Sequence, residues 1–69
     1  MPRHIKVIVA EIKNDWKNIN PYALAYLDVM LRPLSNHEIQ AQILYFLSNA
    51  ATWRGEVARR VKTELRSML

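Results

Sequence analysis

Three short runs of helix-breaking and helix-capping residues constrain the fold of this chain more than any other feature. The runs are Asn20-Pro21, residues 32–35 (Arg-Pro-Leu-Ser) and residues 48–52 (Ser-Asn-Ala-Ala-Thr). Between them, apolar residues recur at three- and four-residue spacing, which is the period of an amphipathic helix. Because the chain has only 69 residues, every connection is short, as in antiparallel helical packing. The sequence therefore predicts an all-α fold, a compact bundle of four short helices forming a single domain over residues 1–69.

The first segment, about residues 4–18, carries one apolar stripe within an arc of roughly 100° on a helical wheel. Its members, with one residue just beyond the segment, are Ile5, Ile8, Val9, Ile12, Trp16 and Ile19. A strand over residues 4–10 is the alternative, because β-branched residues alternate at Ile5, Val7 and Val9. Since no other part of the sequence predicts a strand to pair with, the pattern favours a helix.

Capping signals fix the second and third helices. Asn20 is predicted to cap the second helix, with Pro21 at its first position. That helix is expected to stop at Arg32, because a residue before proline is disfavoured in the α conformation. Ser35 and Glu38 have the spacing of a capping box, which predicts the start of the third helix.

The fourth helix is predicted to begin near Thr52 and to run to the C-terminus. Glu56 and Arg60 are spaced to form an ion pair along this helix. Gly55 falls in its first turn and has two interpretations: room for close backbone approach beside Trp53, or a tolerated surface glycine. The apolar stripes of the four helices predict a shared core of Trp16, Leu24, Leu27, Leu31, Ile39, Ile43, Phe46, Leu47, Trp53, Val57, Val61 and Leu65.

The second helix is apolar on two sides, which is typical of a helix that lies half in its own core and half in an interface. The leucine side is expected to face the core. The other side is predicted to form a protein interface and a homodimer, because tyrosine rings are apolar while their hydroxyl groups can stay in water. The predicted interface residues are Tyr22, Tyr26 and Val29.

Basic residues give the alternative function. The chain carries ten Lys and Arg against six Asp and Glu, for a net charge of +4. The residues predicted to contact DNA or RNA are Arg54, Arg59, Lys62 and Arg66. In this interpretation the third and fourth helices form a helix-turn-helix, with Thr52, Arg54 and Glu56 near base edges. A merely solvated basic face is the competing explanation, because Glu56 and Glu64 share the helix.

Catalysis and cofactor binding are not indicated by the sequence. There is no cysteine, a single glycine and two histidines, so thiolate chemistry and a glycine-rich phosphate loop are excluded. His4 and His37 are expected to lie exposed, and no spacing typical of metal ligands occurs. The chain is therefore predicted to be a non-enzymatic protein without cofactor or metal. With no signal peptide and no long apolar run, it is expected in the cytoplasm, away from membranes.

Residues 43–65, ILYFLSNAATWRGEVARRVKTEL, resemble the C-terminal part of small uncharacterised proteins of bacteriophages and prophages. The resemblance covers roughly a third of the chain and brings no catalytic or ligand-binding residue with it. It implies an accessory protein that binds a host or viral macromolecule. A helical protein-binding module is thus the first functional hypothesis, and a basic nucleic-acid-binding module is the second.

Overall fold

The computed structural model describes residues 3–69, and each predicted segment contains one α-helix. The helices are α1 (Ile5–Asp15), α2 (Pro21–Met30), α3 (Asn36–Ser48) and α4 (Glu56–Arg66). Residues 3–69 contain no strand, so the predicted all-α fold is confirmed and the strand alternative for residues 4–10 is wrong. Each helix packs on the next in sequence, and α4 closes the ring by packing on α1.

The predicted caps of α2 and α3 are confirmed. Asn20 Oδ1 accepts a hydrogen bond from the Tyr22 N–H at 2.8 Å, and Pro21 occupies the first position of α2. Ser35 Oγ accepts from the Glu38 N–H at 3.2 Å, and the Glu38 carboxylate accepts from the Ser35 N–H at 3.4 Å. Both helices therefore begin where local sequence alone satisfies their first free amides.

One buried cluster fills the centre of the ring, and three aromatic residues form its middle. The rings of Trp16 and Trp53 stack with their centroids 5.7 Å apart, and Phe46 meets both of them edge-on. The other buried residues are Ile8, Val9, Ile12, Ala23, Leu27, Met30, Ile43, Ala50, Ala58, Val61 and Leu65. Trp16 itself lies just after α1, so the end of that helix and the α3–α4 connection meet at this stack.

The orientation of α2 differs from the prediction. Its fully buried residues are Ala23, Leu27 and Met30, whereas Leu31 is 39% exposed and Leu24 is only half-buried. The core assignments of Leu31 and Leu24 are therefore wrong, because Leu31 is exposed and the half-buried Leu24 does not pack against the buried cluster. Leu27 is buried as predicted, but the inward face also uses a small alanine and a flexible methionine, so it is rotated around the helix relative to the leucine stripe.

The fourth helix begins at Glu56, later than the predicted start near Thr52. Gly55 precedes it with a φ of 112°, a left-handed conformation that favours glycine. A Cβ at this position would meet no atom within 4 Å, so the interpretation as room for close backbone approach is wrong. Gly55 instead provides the backbone turn that separates Trp53 from α4.

Charged side chains join α4 to α1. Arg3 pairs with Glu11 at 2.6 Å and with Glu64 at 2.8 Å, and Arg60 also pairs with Glu11. Hydrogen bonds from Arg3 lower the pKa of Glu64 to about 2, and hydrogen bonds from Arg60 and Arg3 lower the pKa of Glu11. Arg60 thus reaches across to α1, and within residues 3–69 the predicted ion pair of Arg60 with Glu56 is not formed.

Among the helices of the described range, none combines the length and the apolar character needed to cross a lipid bilayer.

Candidate nucleic-acid interface

The α3–α4 connection, residues 49–55, is held firmly by Trp53. The Trp53 side chain is only 2% exposed, and its Nε1 donates a hydrogen bond to Asp15 Oδ2 at 2.8 Å. The Trp53 N–H donates to the Ala50 carbonyl at 3.1 Å, which closes a tight turn. Arg54 follows directly, so its backbone is fixed by the buried tryptophan before it.

Lys62 of α4 also holds this connection. Its Nζ donates hydrogen bonds to the carbonyls of Ala50 and Trp53, each at 2.7 Å, and lies 5.9 Å from the centroid of the Trp53 ring. Burial lowers the pKa of the Lys62 ammonium, and the nearby charges of Arg66 and Arg54 lower it further. An ammonium has three N–H groups, so Lys62 keeps one of them for an external ligand.

The four basic residues predicted to contact nucleic acid line one depression with a volume of about 320 Å³. We call it the basic depression, and its lining is Trp53, Arg54, Gly55, Ala58, Arg59, Lys62 and Arg66. No acidic residue lines it, and Arg54, Arg59 and Arg66 are exposed. Within residues 3–69, none of the four basic side chains has a carboxylate oxygen within 4.0 Å. The depression therefore presents uncompensated positive charge.

The charged residues of α4 differ between the two sides of the helix: those toward α1 form ion pairs, and those at the basic depression do not. On the flank toward α1, Arg60 and Glu64 are taken up in the ion pairs with Arg3 and Glu11. On the other flank, the arginines keep their charges free for an external anion. The N-terminal end of α4 lies at the same depression, and no side chain caps its first-turn amides. The positive end of the helix dipole thus adds to the field of the arginines, although Glu56 in the first turn offsets part of it.

A second depression, of about 450 Å³, adjoins the first. We call it the loop depression, and its lining is Asp15, Trp16, Lys17, Asn18, Thr52, Trp53 and Arg54. Trp53 and Arg54 line both depressions, so the two surfaces are continuous. Lys17 and Asn18 were not predicted as site residues. Nothing in their local sequence indicates that the α1–α2 connection meets the α3–α4 connection; only the pair of tryptophans, Trp16 and Trp53, could have suggested it.

The predicted helix-turn-helix does not match the geometry of α3 and α4. Residues 49–55 separate the two helices, whereas the motif uses a turn of roughly three or four residues. Thr52 lies in the loop depression, away from the arginines of α4, and Glu56 begins α4 without lining either depression. The arrangement therefore offers positive charge along a surface and lacks the short turn that defines the motif.

The residues of the predicted protein interface lie along α2 with unequal exposure. Tyr22 is 71% exposed, whereas Tyr26 and Val29 are half-buried. Tyr26 packs against the core, and its ring centroid lies 5.5 Å from that of Tyr45, a half-exposed residue of α3 that was not predicted. We call Tyr22, Tyr26, Val29 and Tyr45 the tyrosine surface. Part of it is buried within the chain, and the predicted homodimer stays a prediction.

The histidines and carboxylates do not gather into a catalytic or metal-binding group. His4 is exposed, and its Nδ1 accepts a hydrogen bond from the Lys6 N–H at 3.1 Å, which caps α1. In the described part of the chain, no three residues among histidines and acids lie close enough to hold a metal ion. That the protein is not an enzyme stays a prediction.

Comparison with known proteins adds no further constraint: no protein-family model, no curated protein and no solved structure matches this chain. The resemblance of residues 43–65 to phage proteins accordingly stays a prediction.

Proposed function

We propose that this protein binds nucleic acid by its phosphate backbone, with the basic depression as the contact surface. The observation that carries the proposal is the gathering of Arg54, Arg59 and Arg66 around one depression that no carboxylate neutralises. Guanidinium groups bind phosphate oxygens in a planar, two-pronged geometry. Arg59 and Arg66 are separated by about 10 Å along α4, at roughly 1.5 Å per residue. They can therefore contact different phosphates of one backbone.

The lining of the basic depression favours nucleic acid over a membrane surface. Its apolar residues, Trp53 and Ala58, are buried, so no side chain there can insert among lipid chains. The exposed side chains that line it are those of three arginines, a residue type that commonly contacts phosphates in nucleic-acid interfaces. Because the proposed contacts are to phosphates, we expect the binding to be sequence-independent and to weaken as the salt concentration increases.

The test compares two variants that lose the same charge. Arg59→Ala with Arg66→Ala is expected to weaken binding to a labelled oligonucleotide about tenfold at about 50 mM salt, because two phosphate contacts are lost. Lys6→Ala with Arg32→Ala is the control, since these exposed residues line a different depression, and should weaken binding less than about twofold. Fluorescence anisotropy measures the affinity of each double variant for the oligonucleotide.

Equal weakening by the two double variants would show that only net charge matters, and would overturn the proposal. So would binding to anionic lipid vesicles or to polyglutamate as tightly as to nucleic acid of the same charge, because the arginine geometry would then confer no preference for phosphate backbones.

Self-association through the tyrosine surface is the second candidate function, and the exposure of Tyr22 and Tyr45 is what favours it. The occupant we propose is a second copy of the chain, with the two α2 helices meeting across a two-fold axis. Tyr26 and Val29 are half-buried, so only Tyr22 and Tyr45 offer mostly exposed rings to a second copy, which is few contacts for a stable interface. We therefore expect a weak dimer, with a Kd on the order of 0.1–1 mM.

Tyr22→Asp is expected to abolish this dimer without unfolding the chain, because Tyr22 is 71% exposed. Val7→Asp, which places the same charge on another exposed apolar residue, is the control and should leave dimerisation unchanged. Sedimentation equilibrium up to about 1 mM protein measures the mass of each form. A parent protein that remains monomeric over this range rules out the second copy as the occupant.

A further inference from the structure

We infer that the nucleic acid is a duplex, and that its backbone is held across both depressions, with Lys17 as an additional phosphate contact. This inference rests on the proposed function and extends it in two ways. Lys17 lies on the α1–α2 connection, apart from the arginines of α4, and a duplex differs from a single strand in covering its bases.

Two observations support a nucleic-acid backbone that continues into the loop depression: the two depressions share residues, and the loop depression is lined by side chains that can contact phosphate. Arg54 lines both depressions, so a backbone bound at Arg59 and Arg54 leads directly to the α1–α2 connection. Lys17, Asn18 and Thr52 are exposed there, and their side chains donate no hydrogen bond within the described part of the chain. Lysine, asparagine and threonine are among the residues that most often contact phosphate and sugar oxygens.

Asp15 is the one acidic residue that lines the loop depression, and its carboxylate is already engaged. Its Oδ2 accepts the hydrogen bond from Trp53 Nε1 at 2.8 Å, which fixes the carboxylate against the tryptophan. Lys17 and Arg54 outnumber it on the same surface. The residues that line the loop depression therefore carry a net positive charge, although a smaller one than those of the basic depression.

The preference for a duplex follows from the position of the aromatic rings. Proteins that bind single strands without sequence preference stack the bases on exposed aromatic side chains. Here Trp16 is 6% exposed and Trp53 is 2% exposed, and the two rings stack on each other. The exposed Tyr22 and Tyr45 line neither depression. A surface with free cations and no stacking platform matches a duplex, whose bases are covered and whose phosphates are denser.

The experiment measures the affinity of the full chain for a labelled DNA duplex and for either of its single strands, at several salt concentrations. We expect the duplex to bind at least about threefold more tightly than the single strand at about 50 mM salt. Lys17→Ala should weaken duplex binding about threefold and reduce the salt-dependence slope by about one. Lys6→Ala removes the same charge from α1 outside the two depressions and should leave the slope unchanged.

Each outcome separates this inference from the proposed function. If the parent protein binds neither duplex nor single strand at low salt, the proposed function fails. If binding depends on Arg59 and Arg66 but Lys17→Ala behaves like Lys6→Ala, the basic depression is the whole interface and the extension is wrong. If the single strand binds as tightly as the duplex, the choice of a duplex is wrong while the phosphate contacts stand.

Discussion

Replacing Trp53 with alanine is expected to lower the free energy of unfolding by about 3–5 kcal/mol, the usual cost of truncating a buried tryptophan. A domain of this size has a total stability of only about 3–10 kcal/mol, at roughly 0.05–0.15 kcal/mol per residue. The substitution removes the ring that stacks on Trp16, the edge contact with Phe46 and the hydrogen bond to Asp15. The substitution should therefore remove between about a third and all of the stability of the protein.

Urea unfolding followed by far-ultraviolet circular dichroism measures this effect. Trp53→Phe is the graded variant, because it keeps an aromatic ring in the cluster but loses the donor to Asp15, so it should fall between the parent and the alanine variant. Tyr22→Ala truncates an exposed aromatic residue and should change stability by less than about 0.5 kcal/mol. If Trp53→Ala unfolds at the same urea concentration as the parent protein, the aromatic cluster of Trp16, Phe46 and Trp53 does not hold the α3–α4 connection.

The parts of the fold that the sequence predicts well depend on local signals. Asn20 and Ser35 cap their helices with side chains that reach amides only two or three residues away. The stripe of α1 is equally local, because Ile8, Val9 and Ile12 lie on one face whatever they contact. Such features need no knowledge of the rest of the chain.

The parts that were mispredicted depend on contacts between distant segments. On α2, leucine and tyrosine stripes were both apolar enough to be buried, and the choice was set by α1 and α3 on either side. The start of α4 was misplaced because Trp53 stacks on Trp16, so it is drawn out of the helix into the connection. The left-handed φ of Gly55 then follows from where Trp53 must lie.

The same division applies to the candidate site. The gathering of Arg59, Lys62 and Arg66 on one face is a consequence of helical spacing, and the sequence was sufficient to predict it. Lys17 could not be found in this way, because it reaches the surface through the meeting of two connections. The sequence also did not reveal that Lys62 holds the α3–α4 connection. Its hydrogen-bond acceptors are backbone carbonyls, which every residue type carries.

Lys62→Met is expected to lower the free energy of unfolding by about 2 kcal/mol, although it removes a charge from a repulsive cluster. Repulsion between such partly exposed charges amounts to less than about 1 kcal/mol. Against this, the hydrogen bonds to the carbonyls of two buried residues, Ala50 and Trp53, are lost. Each carbonyl left without that donor costs about 1–3 kcal/mol, and the Ala50 carbonyl keeps the Trp53 N–H as a second donor. The loss of hydrogen bonds therefore outweighs the relief of repulsion.

Arg59→Met is the matched control, because it removes the same charge from the same helix and its side chain donates no hydrogen bond to any described residue. It should change stability by less than about 0.5 kcal/mol, as exposed substitutions usually do. Nucleic-acid affinity should respond in the opposite order, since Arg59 has its whole guanidinium free for phosphate while Lys62 has one N–H left. Urea unfolding and anisotropy on the two variants test both expectations together. If Lys62→Met keeps the parent's stability and loses more affinity than Arg59→Met, Lys62 is a ligand contact and the α3–α4 connection is held by Trp53 alone.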